Sequence, residues 1–180
     1  VSNAKIQRFN AAIVWPGEKP GHCCVVGEEF QKEIIRKQRK PKFYYIDSVQ
    51  ASDHREMIQR CVDILSRFPV ETFYSTREKA AIYTLQDWNS DQGDNDLQEI
   101  WTQVPCYYEE DGNIEYHLNV LKGLMNPAAE RLLWLDKGPI KSELANIPGN
   151  VDKIHHGEFP QAAALAYVVT SLEADPCCPS

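Results

Sequence analysis

The chain has 180 residues, 43% of them hydrophobic and 25% charged, which suits one domain with a proper core and excludes global disorder. Its formal net charge is −7, from 19 Lys and Arg against 26 Asp and Glu. That excludes a surface that grips nucleic acid all round, while leaving room for a local basic patch. No run approaches the length of a membrane span, so no membrane partner is expected, and no GxxxxGKS or GxxxxGKT stretch is present.

The chain opens with Val1 rather than Met, so 1–180 is expected to be one domain cut from a longer protein, with residues 1–4 a foreign remnant and residues 174–180 a tail. The six cysteines are Cys23, Cys24, Cys61, Cys106, Cys177 and Cys178, and none makes a CxxC pair. The expectation is a reducing compartment without a disulfide framework.

Phe9 to Trp15 reads as a first strand and His22 to Glu28 as a second, joined by the turn-rich Pro16-Gly17-Glu18-Lys19-Pro20-Gly21. Residues 32–42 carry six basic side chains among eleven. Phe43 to Val49 is a third strand, rich in aromatic and β-branched residues. Asp53 to Phe68 is the clearest helix: Met57, Ile58, Cys61, Val62, Leu65 and Phe68 recur at three and four residues, with Ser52 as its expected N-cap. Cys61 on that apolar face reads as core. Val70 to Ser75 is a fourth strand, and strand–helix–strand order implies a crossover to a parallel neighbour.

Thr76 to Trp88 is expected to be helical, residues 89–96 an acidic loop, residues 97–102 a short helix, and Val104 to Glu109 a strand. Trp88 and Trp101 read as core. Ile114 to Met125 is an amphipathic helix, Arg131 to Asp136 a short strand, and Pro139 to Ile147 a short helix with Pro at its start. The closing stretch, Lys153 to Glu173, places His155, His156 and Glu158 just before Pro160 and the helix-forming run Ala162 to Tyr167. Small residues on most faces let such a helix lie close against a sheet. The plan is α/β: a ribonuclease H-like mixed sheet flanked by helices.

This order resembles the C-terminal nuclease domain of viral large terminases. Ser142-Glu143-Leu144-Ala145-Asn146-Ile147-Pro148 is similar to the short helix before that family's last motif, and His156-Gly157-Glu158-Phe159-Pro160-Gln161-Ala162 is similar to its His-Asp-Asp-x-x-Asp-Ala motif. The resemblance implies a DNA-packaging motor in the cytoplasm of an infected host cell. It also implies double-stranded DNA and other packaging-motor subunits as partners, and Mg²⁺ or Mn²⁺ as the ion for cutting DNA. Its first-strand acid would fall at Trp15, with Glu18 the nearest carboxylate; its second would fall at Tyr74 or Ser75, with Glu78 just after. In the last motif Glu158 alone keeps an acid on its own register.

On this basis Glu158, Glu78 and Glu18 are the candidate catalytic acids, and Glu158 and His156 the candidate metal ligands. Hydrolysis by paired ions needs several carboxylates converging on centres about 4 Å apart. Each residue also has an ordinary reading. Glu158 suits the first turn of the last helix, Glu78 a helix-start cap, Glu18 an exposed turn, and His155 and His156 a solvated loop. Glu71 would have to be partnered or lie near the sheet's end, and Asp47 is expected to make structural hydrogen bonds. Lys32, Arg36, Lys37, Arg39, Lys40 and Lys42 read either as DNA-phosphate contacts or as a solvated linker. Two functions are therefore carried forward: a metal-dependent endonuclease, and a non-catalytic ribonuclease H-like module for DNA guiding or protein docking.

Overall fold

A computed structural model of the chain describes residues 6–29, 40–76, 114–134 and 140–174. Among these residues, one mixed sheet runs in the order β4-β1-β2-β3-β5, where β1 is Ile6–Val14, β2 Gly21–Glu29, β3 Phe43–Ala51, β4 Val70–Ser75 and β5 Leu132–Trp134. The helices are α1 (His54–Arg67), α2 (Glu115–Met125), α3 (Ile140–Ala145) and α4 (Pro160–Ala174). β1, β2 and β3 form an antiparallel meander, β4 joins β1 in parallel, and β5 joins β3 in parallel. The fold is thus the expected α/β, ribonuclease H-like mixed sheet flanked by helices.

The side chains of each strand alternate between two faces, and each face has its own core. On one, Ala11, Ile13, Cys23, Val25 and Phe73 meet Met57, Ile58, Cys61 and Ile64 of α1. On the other, Ala12, Val14, Cys24, Val26, Phe43 and Tyr45 meet α2 and α4. Ala162, Ala163, Ala164 and Ala166 of α4 are fully buried, so the small side chains do let this helix lie close to the sheet. β2 is covered on both sides, which is why nearly all of it is buried.

The second face also buries polar groups. Arg8 Nε donates to Glu28 Oε2 at 2.5 Å and Gln7 Nε2 at 3.0 Å, compensating a fully buried carboxylate. His22 is fully buried, 3.3 Å from the Tyr45 hydroxyl, and burial pushes its pKa down to about 3. At the far end of α4, Arg131 pairs with Glu173, donates to Pro41 O at 2.7 Å, and stacks over Phe43.

One expectation is corrected and others are refined. The N-cap of α1 is Asp53, not Ser52; its carboxylate accepts the Glu56 amide at 2.8 Å. β4 takes β1 as its parallel neighbour, so the chain through α1 passes from β3 across β2 to the far side of β1. Glu71 is exposed on β4 and escapes the cost of a buried charge. Asp47 has the structural role expected: within β3 its carboxylate accepts the Ser48 amide at 2.8 Å and pairs with Arg67 at 2.7 Å. Cys23, Cys24 and Cys61 are buried free thiols, and burial pushes the Cys61 thiol well up. The elements expected over residues 77–109, with Trp88 and Trp101, lie outside the described residues. Among the described residues no helix is long and apolar enough to cross a membrane.

Candidate functional site

The C-terminal ends of β1 and β4 lie side by side, and what fills them decides the chemistry available. Beyond Val14 the chain turns sharply through Pro16 and re-enters the sheet at Gly21. Any side chain at Gly21 would put a Cβ 2.6 Å from Pro16 N and 2.8 Å from Val14 O, so the turn requires glycine there. Trp15, only 4% exposed, donates from Nε1 to Ser75 Oγ at 2.8 Å. Ser75 Oγ donates on to Thr76 O at 2.9 Å, and Thr76 N donates to Ile13 O at 3.2 Å. The indole also lies parallel to the His54 ring, 5.6 Å between centroids. An indole and a hydroxyl bonded to each other close these strand ends, and the Thr76 Oγ1 beside them is buried with no hydrogen-bond partner among the described residues.

Beside this plug lies a cleft of about 480 Å³, lined by Glu18 and Lys19 of the turn and by residues 155–160 leading into α4. Lys19 Nζ donates to the Glu158 carbonyl at 2.6 Å and sits 5.5 Å from the Phe159 ring centroid. Glu158 Oε1 accepts the His155 amide at 3.3 Å, and the Glu158 amide donates back to His155 O at 3.0 Å. His155 Nδ1 accepts from Gly157 N at 3.0 Å, and its ring is tilted at 43° to that of His156, 4.2 Å between centroids. His156, mostly buried, faces the Tyr167 hydroxyl at 3.5 Å.

Glu143 of α3 closes the mouth of α4 from the side. Its carboxylate accepts the Ala162 amide at 2.8 Å, one of the amide groups that a helix start leaves without an internal partner. Burial raises the Glu143 pKa, while the Ala162 and Gln161 amides and the Lys19 charge pull it back down.

The structure thus brings Glu18, His156 and Glu158 to one cleft. Glu158 lies in the turn before α4 rather than in its first turn, since the helix begins at Pro160. Glu78, Lys32, Arg36, Lys37 and Arg39 lie outside the described residues. Lys40 and Lys42 line a different cavity, of about 360 Å³, with Glu130 and Arg131; Lys42 Nζ is 4.0 Å from the Glu130 carboxylate. Lys19 and Glu143 were not singled out from sequence. Each acts on a partner distant in the chain; Lys19 stands in no pattern that marks it, and Glu143 stands in the Ser142–Pro148 motif without a role assigned there.

An Mg²⁺ or Mn²⁺ pair requires several hard oxygen donors converging on one place. Among the described residues no three His, Cys, Asp or Glu side chains converge in this way. The strand-end positions carry an indole and a hydroxyl committed to each other, and the cleft already contains an ammonium group. The described residues therefore do not fit that ion pair.

No family model and no curated protein matches the chain. Among solved structures, the Thermus thermophilus RuvC structure is similar at a TM-score of 0.43 and 14% identity, covering 91% of this chain and 94% of that one. T. thermophilus RuvC in complex with Holliday junction substrate is similar at a TM-score of 0.43 and 13% identity, covering 92% of this chain and 96% of that one. The ribonuclease H-like assignment follows from the strand order and helix placement described above.

Proposed function

We propose that the chain is a non-cleaving ribonuclease H-like module that guides DNA, of the kind that the terminase-like motifs around Glu143 and Glu158 imply for a packaging motor. The observation that carries the non-cleaving reading is the Trp15–Ser75 hydrogen bond, which closes the β1 and β4 ends where ion-binding acids would be needed. Lys40 and Lys42 support the DNA reading, because lysines on one surface hold phosphates without reading sequence. A second reading, a nuclease built on displaced acids, is favoured by Glu18 and Glu158 lining the same cleft.

A supercoiled-plasmid assay tests the proposal with two readouts, mobility and nicking. The module should retard the plasmid with a strong dependence on salt, weakened when Lys40 and Lys42 are both changed to Glu. Absence of retardation would remove the DNA reading in favour of protein docking.

A further inference from the structure

Resting on the DNA reading of Lys40 and Lys42, we propose that Glu130 is the displaceable internal counter-ion of a phosphate seat made by Lys40, Lys42 and Arg131. It pairs with Lys42 until a phosphate group takes its place. The four residues, with Ala129, line one cavity of about 360 Å³. Arg131 holds the seat in shape. Its Nε donates at 2.7 Å to the carbonyl of Pro41, which lies between the two lysines in sequence. Its guanidinium pairs with Glu173 of α4 and lies over the Phe43 ring. Lys42 is tied to β2 by its backbone: its amide donates to Glu29 Oε2 at 3.3 Å, and its carbonyl accepts the Glu29 amide at 2.9 Å. These bonds use the main chain of Lys42 and not its ammonium.

Two features single out Glu130. Its φ is 49°, and only one other residue besides the glycines has a positive φ among the described residues. Glycine takes that left-handed conformation without strain, so the backbone gives no reason for a glutamate. The turn itself is set by Asn126, whose carbonyl accepts the Ala129 amide at 2.9 Å and whose Oδ1 accepts the Ala128 amide at 3.1 Å. The second feature is the looseness of the ion pair. Glu130 Oε2 is 4.0 Å from Lys42 Nζ, beyond hydrogen-bond reach, and its side chain is 75% exposed. Such a pair costs little to break. A phosphate makes short, charge-assisted bonds to the same ammonium. The neighbouring carboxylates stay in place, Glu173 on Arg131 and Glu29 on the Lys42 amide. Three cations face Glu29, Glu130 and Glu173, so the seat is neutral until Glu130 swings into water and leaves one positive charge for the phosphate.

Plasmid retardation by the intact chain at low salt tests this, beside amide NMR shifts on adding sodium pyrophosphate. Glu130→Gln should tighten plasmid binding about two- to fivefold. The same change in a Lys42→Met background should add nothing. Glu71→Gln, which removes an exposed charge at the opposite edge of the sheet, should add nothing either. An equal gain in Glu71→Gln would overturn the proposal, because net charge alone would account for it. A gain that survives Lys42→Met, or no gain over a native chain that itself retards the plasmid, would overturn it too. Millimolar pyrophosphate should shift the Lys42, Ala129 and Arg131 amides more in Glu130→Gln than in the native chain, and no shift in either would overturn the seat. If these amides shift while no variant retards the plasmid, the seat stands as a site for a free phosphate compound and the DNA reading alone fails.

Discussion

The α1 side of the sheet buries Ile13, Val25, Met57, Ile58 and Phe73 against one another, whereas the opposite side buries Asn10, His22 beside Tyr45, and Glu28 beside Arg8 and Gln7. The first is held by apolar area and packing, terms that depend little on pH or salt. The second depends on charges being paired and on a histidine remaining neutral. The difference teaches where this chain can be altered by its surroundings. The polar entrance of α4, with Lys19, Glu143 and Glu158, is an extension of the face that already tolerates polar groups.

The largest expected break in that contrast is at Arg8. Arg8→Met leaves Glu28 buried with Gln7 as its remaining partner among the contacts described above, and should cost about 3–5 kcal/mol in urea unfolding. Replacing Glu28 by Met as well should return much of it. A loss below about 1 kcal/mol for the single change would mean that water reaches Glu28 and that the two faces are less different than described.

Acid separates the faces next. Burial depresses the His22 pKa from 6.5 to about 3, so the unfolded chain takes up a proton in that window and the folded chain does not. Stability from this group is complete above pH 6.5 and falls as pH drops towards 3, by up to about 1.4 kcal/mol per pH unit. His22→Leu should flatten the acid limb of the stability curve. An equally steep limb in that variant would assign the acid loss to other groups.

The smallest effect is at Glu143. Glu143→Ala removes the acceptor over the α4 amides and should cost about 1 kcal/mol at neutral pH. Glu143→Gln keeps an acceptor and should cost little. The sign with pH follows from the raised carboxyl pKa: the folded state holds the proton more tightly, so this group favours folding as pH falls and loses that contribution as pH rises through its folded value. Equal losses for the Ala and Gln variants would show that charge rather than capping is the role of Glu143.

The strands of the meander and α1 were legible because their signals are local. β-branched runs, a Pro/Gly turn and a repeat at three and four residues all act within a few positions. The cap of α1 was misplaced by one residue because Ser52 and Asp53 are both good caps, and backbone geometry chooses between them. The cleft was half legible. Glu158 and His156 stand beside a recognisable helix start, and Glu18 stands in a visible turn. Lys19 and Glu143 were not legible, since a lysine in a turn and a glutamate on a short helix are ordinary until the fold sets them against α4. The Trp15–Ser75 bond spans 60 residues and depends on β4 joining β1, which sequence periodicity does not specify.

The most direct test of the account is the fate of supercoiled plasmid held with the intact chain in Mg²⁺ or Mn²⁺, beside a Glu158→Ala variant. The account predicts plasmid that is retarded yet remains supercoiled with both proteins and both ions. Metal-dependent nicking by the intact chain that Glu158→Ala abolishes would contradict it, and would make Glu158 part of a working nuclease centre.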